Sequence, residues 1–312
     1  MSVHRALAPA KVNLGLFVGP RRGKDGRHEL VTVMQSISLA DELTLELAPA
    51  GVSEDELVCP GVPGPPGENL ACAALRAFRA STGWDAPPLR LSILKRVPLA
   101  AGLAGGSADA AATLRLARHL SGLGDEELLR ELGGGLGADV PAQISPGRWL
   151  ATGAGEHLQE LPHPSAPFGL LVLPLATRLS TAAVYAEADR LGLVRSPRAL
   201  EDRRRALGAA LSLGEPTPAA GELLGNDLQQ AAVSLCPEIA DALAQEREAG
   251  AEEALVSGSG PTVVGLFASD GRSPLDGLGR AKRAAARLQG RRPAPICATA
   301  VDAAFARATT VA

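Results

Sequence analysis

Residues Val97 to Ala111 read "VPLAAGLAGGSADAA", a stretch that sets three glycines and a serine between the end of a predicted strand and the start of a predicted helix. Bare backbone at such a junction leaves several N–H groups pointing at one spot, where the helix dipole also favours negative charge. Phosphate is the guest that fits. The loop is not a Walker A site, because no GK[ST] follows the glycines, and it lacks the spacing of a Rossmann GxGxxG turn; no HRD or DFG element marks a protein kinase. Taken alone, it is equally compatible with a glycine-rich linker packed closely on a sheet.

Upstream of this loop the pattern is that of strands. In "VNLGLFV" Val12, Leu14, Leu16 and Val18 share a face, and "HELVTVMQSISL" continues the same texture. Leu43, Leu45 and Leu47 alternate with Glu42, Thr44 and Glu46, the period of a strand with one wet face, and "LRLSIL" is a further strand. The Pro/Gly-rich "CPGVPGPPGEN" predicts a loop, followed by a helix from Asn69 to Ser81. An antiparallel sheet with helices on one side accounts for these elements. Downstream, Ser107 is the expected N-cap of an Ala-rich buried helix, and a short helix over Asp125 to Leu132 is expected to close at "GGG".

From about residue 165 the pattern restarts. A strand in "FGLLVLPL" precedes helices near 180–191, 197–211 and 226–249; strand, glycine loop, strand, helix and strand follow to the end. We therefore read an α+β protein of two domains, 1–160 and 161–312, with "AAGELLGNDLQQ" linking two parts of the second.

Composition narrows the function classes. Hydrophobic residues make up 46% of the 312-residue chain and charged residues 21%, ordinary for a protein with a sizeable core. The net charge of −3 comes from scattered basic and acidic residues, which argues against nucleic acid as a partner. The four cysteines (Cys59, Cys72, Cys236 and Cys297) form no CxxC pair, and the five histidines show no HExxH spacing, so no structural zinc is implied. "MSVHRALAPA" lacks the apolar run of a signal peptide, and "FGLLVLPLA" is about half the ~20 residues a bilayer requires. The expectation is a cytoplasmic protein without a membrane partner. The run "EDRRR" at 201–205 is read as a solvated helix face.

Pro98, Gly102, Leu103, Gly105, Gly106, Ser107 and Ala108 resemble the P-x-x-x-G-L-x-x-S-x-A type signature of the GHMP small-molecule kinases. "APAKVNLGL" at 8–16 resembles that family's first motif and "VSGSGPTVVGLF" at 256–267 its third. The strings "G-x-HEL" at 26–30, "LGADVP" at 136–141, "STAAVY" at 180–185 and "GNDLQ" at 225–229 extend the likeness nearly end to end. It implies the two-domain GHMP kinase fold, an N-terminal domain like ribosomal protein S5 domain 2 and a ferredoxin-like α+β C-terminal domain. It implies ATP and Mg²⁺ as well. The branch most similar acts in the non-mevalonate route to isoprenoid precursors, phosphorylating the 2-hydroxyl of a cytidine diphosphate-linked methylerythritol. Another small alcohol such as homoserine or mevalonate is the alternative acceptor, and a non-catalytic ligand-binding relative is the alternative of a different class.

Phosphoryl transfer to an alcohol needs positioning, charge neutralisation and a group to accept the hydroxyl proton. Asp139 in "GADVP" is the candidate base; a turn or N-cap aspartate also fits that setting, and the resemblance places the catalytic aspartate there. Lys11 matches the family's catalytic lysine, although a solvated lysine fits its local sequence equally well. Asn13, two residues on, points to the same side of a strand and is a candidate for the substrate diol. For the nucleotide, the expected cradle is Pro98, Leu99, Ala100, Ala101, Gly102, Leu103, Ala104, Gly105, Gly106, Ser107 and Ala108, acting through backbone N–H groups. Ser107 is the candidate metal neighbour and Asp109 an alternative; Asn69 and Lys95 are candidate adenosine contacts. Gly258 and Ser259 of the second loop are candidate substrate contacts. By resemblance, His28 bonds the cytosine edge and Tyr185 stacks on its ring. Arg27 departs from the pattern, which has tyrosine or phenylalanine before that histidine; a guanidinium stacks on a base or pairs with phosphate.

Overall fold

The computed structural model describes residues 2–164, 168–212, 223–269 and 276–311. Two long antiparallel strands, β1 (Val3–Arg21) and β2 (His28–Leu47), form its spine. The two segments predicted within 28–47 are one strand, because both pair with β1 without interruption of the chain. Register shifts between Pro9 and Lys11 and between Asn13 and Gly15 bracket Lys11 and Asn13, and such bulges re-aim side chains. The hairpin closes through Arg22 N–H to Arg27 O (2.7 Å), with Gly26 at φ 71°, a conformation that favours glycine.

The first sheet is completed by β3 (Glu56–Val58), β4 (Leu89–Leu94), β5 (Arg148–Gly153) and β6 (His157–Leu161). Helices α1 (Leu70–Thr82) and α2 (Gly105–Ser121) cover it, burying Leu75, Phe78, Leu114 and Leu116 against Leu43, Leu45, Leu91 and Ile93. Fully burying each such side chain stabilises the fold by roughly 1.5–3 kcal/mol. Asn69 caps α1, its Oδ1 accepting from Ala71 N–H at 2.9 Å. Helices α3 (Glu126–Leu136) and α4 (Val140–Ile144) follow α2. The "GGG" run does not close α3 as expected: the helix continues through it, and a Cβ on Gly133 would meet Val140 Cγ1 at 3.1 Å. Glycine serves close approach of α4 there, at the expense of helix propensity.

The second sheet is antiparallel, in the order β11 (Ile296–Thr299), β7 (Phe168–Leu173), β10 (Val263–Ala268), β9 (Glu253–Val256). Helices α7 (Gln229–Leu235), α8 (Glu238–Glu248) and α9 (Asp276–Arg287) pack on it through Leu228, Ile239, Leu243, Ala281 and Ala284. Helices α5 (Thr181–Arg190) and α6 (Pro197–Ser212) lie beside the first hairpin, with Leu200 and Leu207 in the core. As predicted for "EDRRR", Arg204 and Arg205 are exposed and pair with Glu201. The linking segment at 219–230 lies partly outside the described residues.

The later part of the chain also returns to the first sheet. Strand β8 (Gly225–Asn226) pairs parallel with β1 at Gly15 and Leu16, and β12 (Thr309–Val311) pairs with Val3–Arg5. One apolar cluster spans both sheets, joining Val12, Leu14, Val31 and Val33 to Leu170, Val172, Val264 and Leu266. The seam between the sheets is therefore held from beneath. No helix among the described residues is long and apolar enough to cross a membrane.

Candidate active site

A cavity of about 620 Å³ opens at this seam. Strands β1 and β2 supply Lys11, Asn13, His28 and Thr32 to its wall, the turn between them supplies Arg27, and the segment before α4 supplies Asp139. Thr181 and Tyr185 come from α5, Gly102 and Ala104 from the glycine loop, and Gly258 and Ser259 from the loop between β9 and β10. Residues more than two hundred positions apart thus converge on one space.

At its floor, Lys11 Nζ lies 3.6 Å from Asp139 Oδ2 and donates to Asn13 Oδ1 at 2.7 Å. Asn13 Nδ2 donates in turn to Thr32 Oγ1 at 2.7 Å, and Thr32 donates to Gly15 O at 2.7 Å. This chain of bonds fixes the amide and, through it, the ammonium. Asp139 has no such framework: it precedes α4 with no side-chain capping bond, so the capping role compatible with its sequence is not the one it plays. Its side chain is 38% exposed while that of Lys11 is 8% exposed. A buried cation thus faces a half-open carboxylate that a ligand in the cavity can reach.

The two glycine loops interlock above the floor. Lys11 N–H donates to Leu103 O at 3.1 Å, and Ser257 Oγ to Gly102 O at 3.3 Å. A Cβ on Gly102 would come within 2.5 Å of Ser257 O, and one on Gly258 within 3.4 Å of Asn13 Oδ1. Both glycines also have positive φ, at 73° and 59°. Asn226 braces the second loop, donating from Nδ2 to Val256 O (2.8 Å) and Gly258 O (2.7 Å). Ser259 meets Thr181 hydroxyl to hydroxyl at 3.0 Å.

The expected N-cap at Ser107 is corrected. Helix α2 begins at Gly105, and Ala104 occupies the cap position in a left-handed conformation, φ 55°. Ala108 N–H makes the first return bond, to Ala104 O at 2.9 Å, so the N–H groups of residues 105–107 have no intrahelical partner. Ala101, Leu103 and Ala108 are buried in the core, leaving backbone rather than side chains to face a ligand. Ser107 lies in the first helical turn. Of the other expected contacts, Asn69 is engaged as the α1 cap. Lys95 is neither surface nor free: it donates to Asp109 at 2.7 Å and also pairs with Asp41. Burial pushes the Asp109 carboxyl up to about 7 against the pull of Lys95, with Asp41 adding to the rise.

At the far end of the cavity the His28 and Tyr185 rings lie 5.2 Å apart between centroids, tilted by 30°. Asp189 anchors the histidine, Nε2 to Oδ1 at 2.8 Å, and accepts from Arg21 as well. Tyr185 and Asp189 are one helical turn apart on α5, so a single helix sets both. Burial and the Asp139 charge push the Tyr185 hydroxyl up to about 12, opposed by Arg27. Thr32, Thr181, Asp189 and Asn226 were not singled out from sequence. The i, i+4 spacing of Tyr185 and Asp189 was an available signal, whereas the Thr32 and Asn226 roles depend on register and loop contacts.

Comparison with known proteins identifies the family. The profile of the GHMP kinases N terminal domain matches residues 69–147, and that of the GHMP kinases C terminal domain matches 204–292. The chain belongs to the GHMP kinase family. It is 44% identical to the 4-diphosphocytidyl-2-C-methyl-D-erythritol kinase of Kineococcus radiotolerans over 85% of this chain and 81% of that one. To the protein of the same name from Streptomyces coelicolor it is 43% identical, over 86% and 88% of the two chains. A crystal structure of 4-(cytidine 5'-diphospho)-2C-methyl-D-erythritol kinase superposes with a TM-score of 0.73 at 34% identity, covering 95% of this chain and 98% of that one.

Proposed function

We propose that this protein transfers the γ-phosphoryl group of ATP to the 2-hydroxyl of 4-diphosphocytidyl-2-C-methyl-D-erythritol, a step in isoprenoid precursor synthesis. Membership of a kinase family makes ATP a substrate. The observation that carries the reading is the Lys11–Asp139–Asn13 arrangement in the cavity that Gly102 and Ala104 of the glycine loop also line. The relatives of that name supply the acceptor.

In this reading Asp139 accepts the proton of the acceptor hydroxyl as it attacks, a role worth typically 10²–10⁴ in rate. Lys11 faces the Asp139 carboxylate and offsets charge developing on the acceptor oxygen. Asn13 has its carbonyl committed to Lys11 and its amide to Thr32, so it serves mainly to hold the ammonium in place. The free N–H groups of residues 105–107 receive the phosphates at the positive end of α2. With Asp139 assigned to the proton, His28 bonded to Asp189 and the Thr181 and Ser259 hydroxyls bonded to each other, transfer in this reading is direct. The residues at the loop fit Mg²⁺ bound with the triphosphate: the Ser107 hydroxyl has no protein partner among the described residues and lies in the cradle's first turn. When bound, the ion neutralises phosphate charge.

The test is ADP release from the purified chain with ATP, Mg²⁺ and 4-diphosphocytidyl-2-C-methyl-D-erythritol, beside homoserine and mevalonate, with Asp139→Asn as control. Turnover restricted to the cytidyl substrate and lost in the variant is expected. Turnover with another alcohol instead refutes the acceptor, and no turnover with any refutes the kinase.

A further inference from the structure

Arg27 stands apart from the other cations near the cavity. Arg21 is paired with Asp189, Arg22 with Asp25 and Glu156, and Lys11 with Asp139. Among the described residues Arg27 has no carboxylate partner for its guanidinium; its one side-chain bond runs from Nη2 to the backbone carbonyl of Ala154 at 2.6 Å. The backbone beneath it is fixed at both ends, its N–H donating to Asp25 Oδ1 (3.1 Å) and its carbonyl accepting from Arg22 N–H (2.7 Å). One neutral contact orients the guanidinium without neutralising it, and the remaining N–H groups are left for a ligand.

Arg27 also lines a second cavity beside Glu127, Glu131 and Glu156, yet among the described residues it pairs with none of them. Arg27 lines the same cavity as Tyr185, and its charge acts on the buried Tyr185 hydroxyl. It lies over no aromatic ring among the described residues, while the His28 and Tyr185 rings already pair with each other. The ring platform for a base is thus made without it. What an uncompensated guanidinium on a cavity wall lacks is an anion, and the fork of a guanidinium matches phosphate oxygens.

Building on the cytidyl substrate proposed above, we propose that Arg27 determines specificity for the substrate's diphosphate bridge, pairing with its phosphate oxygens rather than stacking on the cytosine. The residue selects the linker, and the His28–Tyr185 platform the base.

Calorimetric titration of the full chain with CDP and with cytidine, for the native protein, Arg27→Gln and Arg27→Lys, separates these roles. The native chain is expected to favour CDP. Arg27→Gln is expected to weaken CDP roughly tenfold or more and to leave cytidine within about twofold; Arg27→Lys recovers part of the loss, since a point charge replaces the fork. An equal loss for both ligands assigns Arg27 to the base and overturns the proposal, as does no loss for either. Cytidine and CDP both failing to bind the native chain overturns the cytidyl reading itself, and this proposal with it.

Discussion

Two lysine–aspartate pairs flank the glycine loop and differ in nearly everything but composition. Lys95 and Asp109 are 2.7 Å apart, with side chains only 12% and 5% exposed, and Asp41 completes the cluster while also accepting from the N–H groups of Arg96 (2.6 Å) and Val97 (2.8 Å). Lys11 and Asp139 are 3.6 Å apart, and the carboxylate opens to the cavity. The sealed pair holds the strand-to-loop corner, with Asp109 Oδ1 buried and without a hydrogen-bond partner among the described residues; the open pair presents its carboxylate to the cavity. In the proposed reading reactivity follows access, and the strength of the ion pair points the other way.

The comparison breaks first if Asp139→Asn keeps its activity. Loss of the proposed base is expected to lower kcat by 10²–10⁴, measured by ADP release. The melting temperature should move little, because a half-exposed pair at this separation contributes no more than about 1 kcal/mol. A large loss of stability with kcat retained would exchange the roles of the two pairs.

The sealed pair predicts the reverse pattern. Lys95→Met leaves Asp41 and Asp109 without their shared cation, and breaking a buried pair in this way costs roughly 3–5 kcal/mol. Urea unfolding measures it. A cost below about 1 kcal/mol would mean that the backbone N–H groups of Arg96 and Val97 suffice to hold Asp41.

A pH series sharpens the contrast. The Asp109 carboxyl stands at about 7, above its ordinary 3.8, chiefly through burial. The folded state then binds a proton that the unfolded chain has released, so this group's contribution is intact below the unfolded value and declines as pH rises towards 7. Asp109→Asn removes that decline. Native stability should fall relative to the variant between pH 4 and 7, by on the order of 1–3 kcal/mol. Parallel profiles would show that Asp109 is ionised throughout.

Much of this was legible in sequence because it is local. The alternation of Leu43 and Leu45, the Ala-rich α2 and the Pro/Gly-rich loop before α1 each follow from periodicity within a few residues. Lys11, Asn13, Asp139, His28 and Tyr185 were legible through motifs, and they meet in one cavity. What escaped was tertiary. The glycines of α3 read as a stop, although the helix continues through them to Leu136 and Gly133 lies against Val140. Ser107 read as a cap because Ser is a good one, while the chain turns earlier at a left-handed alanine. The return of β8 and β12 to the first sheet has no local signature in strands of two and three residues.

That alanine carries the smallest prediction. Ala104 at φ 55° costs roughly 1–2 kcal/mol over a right-handed conformation. Ala104→Gly removes this strain but gives the unfolded chain more freedom, a loss of roughly 0.5–1 kcal/mol. The net gain is about 0.5 kcal/mol, a small rise in melting temperature. Activity should move the other way. A residue confined to one left-handed well holds the N–H groups of 105–107 in register, and glycine lets them wander, so KM for ATP is expected to rise about two- to threefold. An unchanged KM would shift the credit to the interlock of Gly102 with Ser257 and Gly260, which fixes the loop from the opposite side and would then be the feature that shapes the cradle.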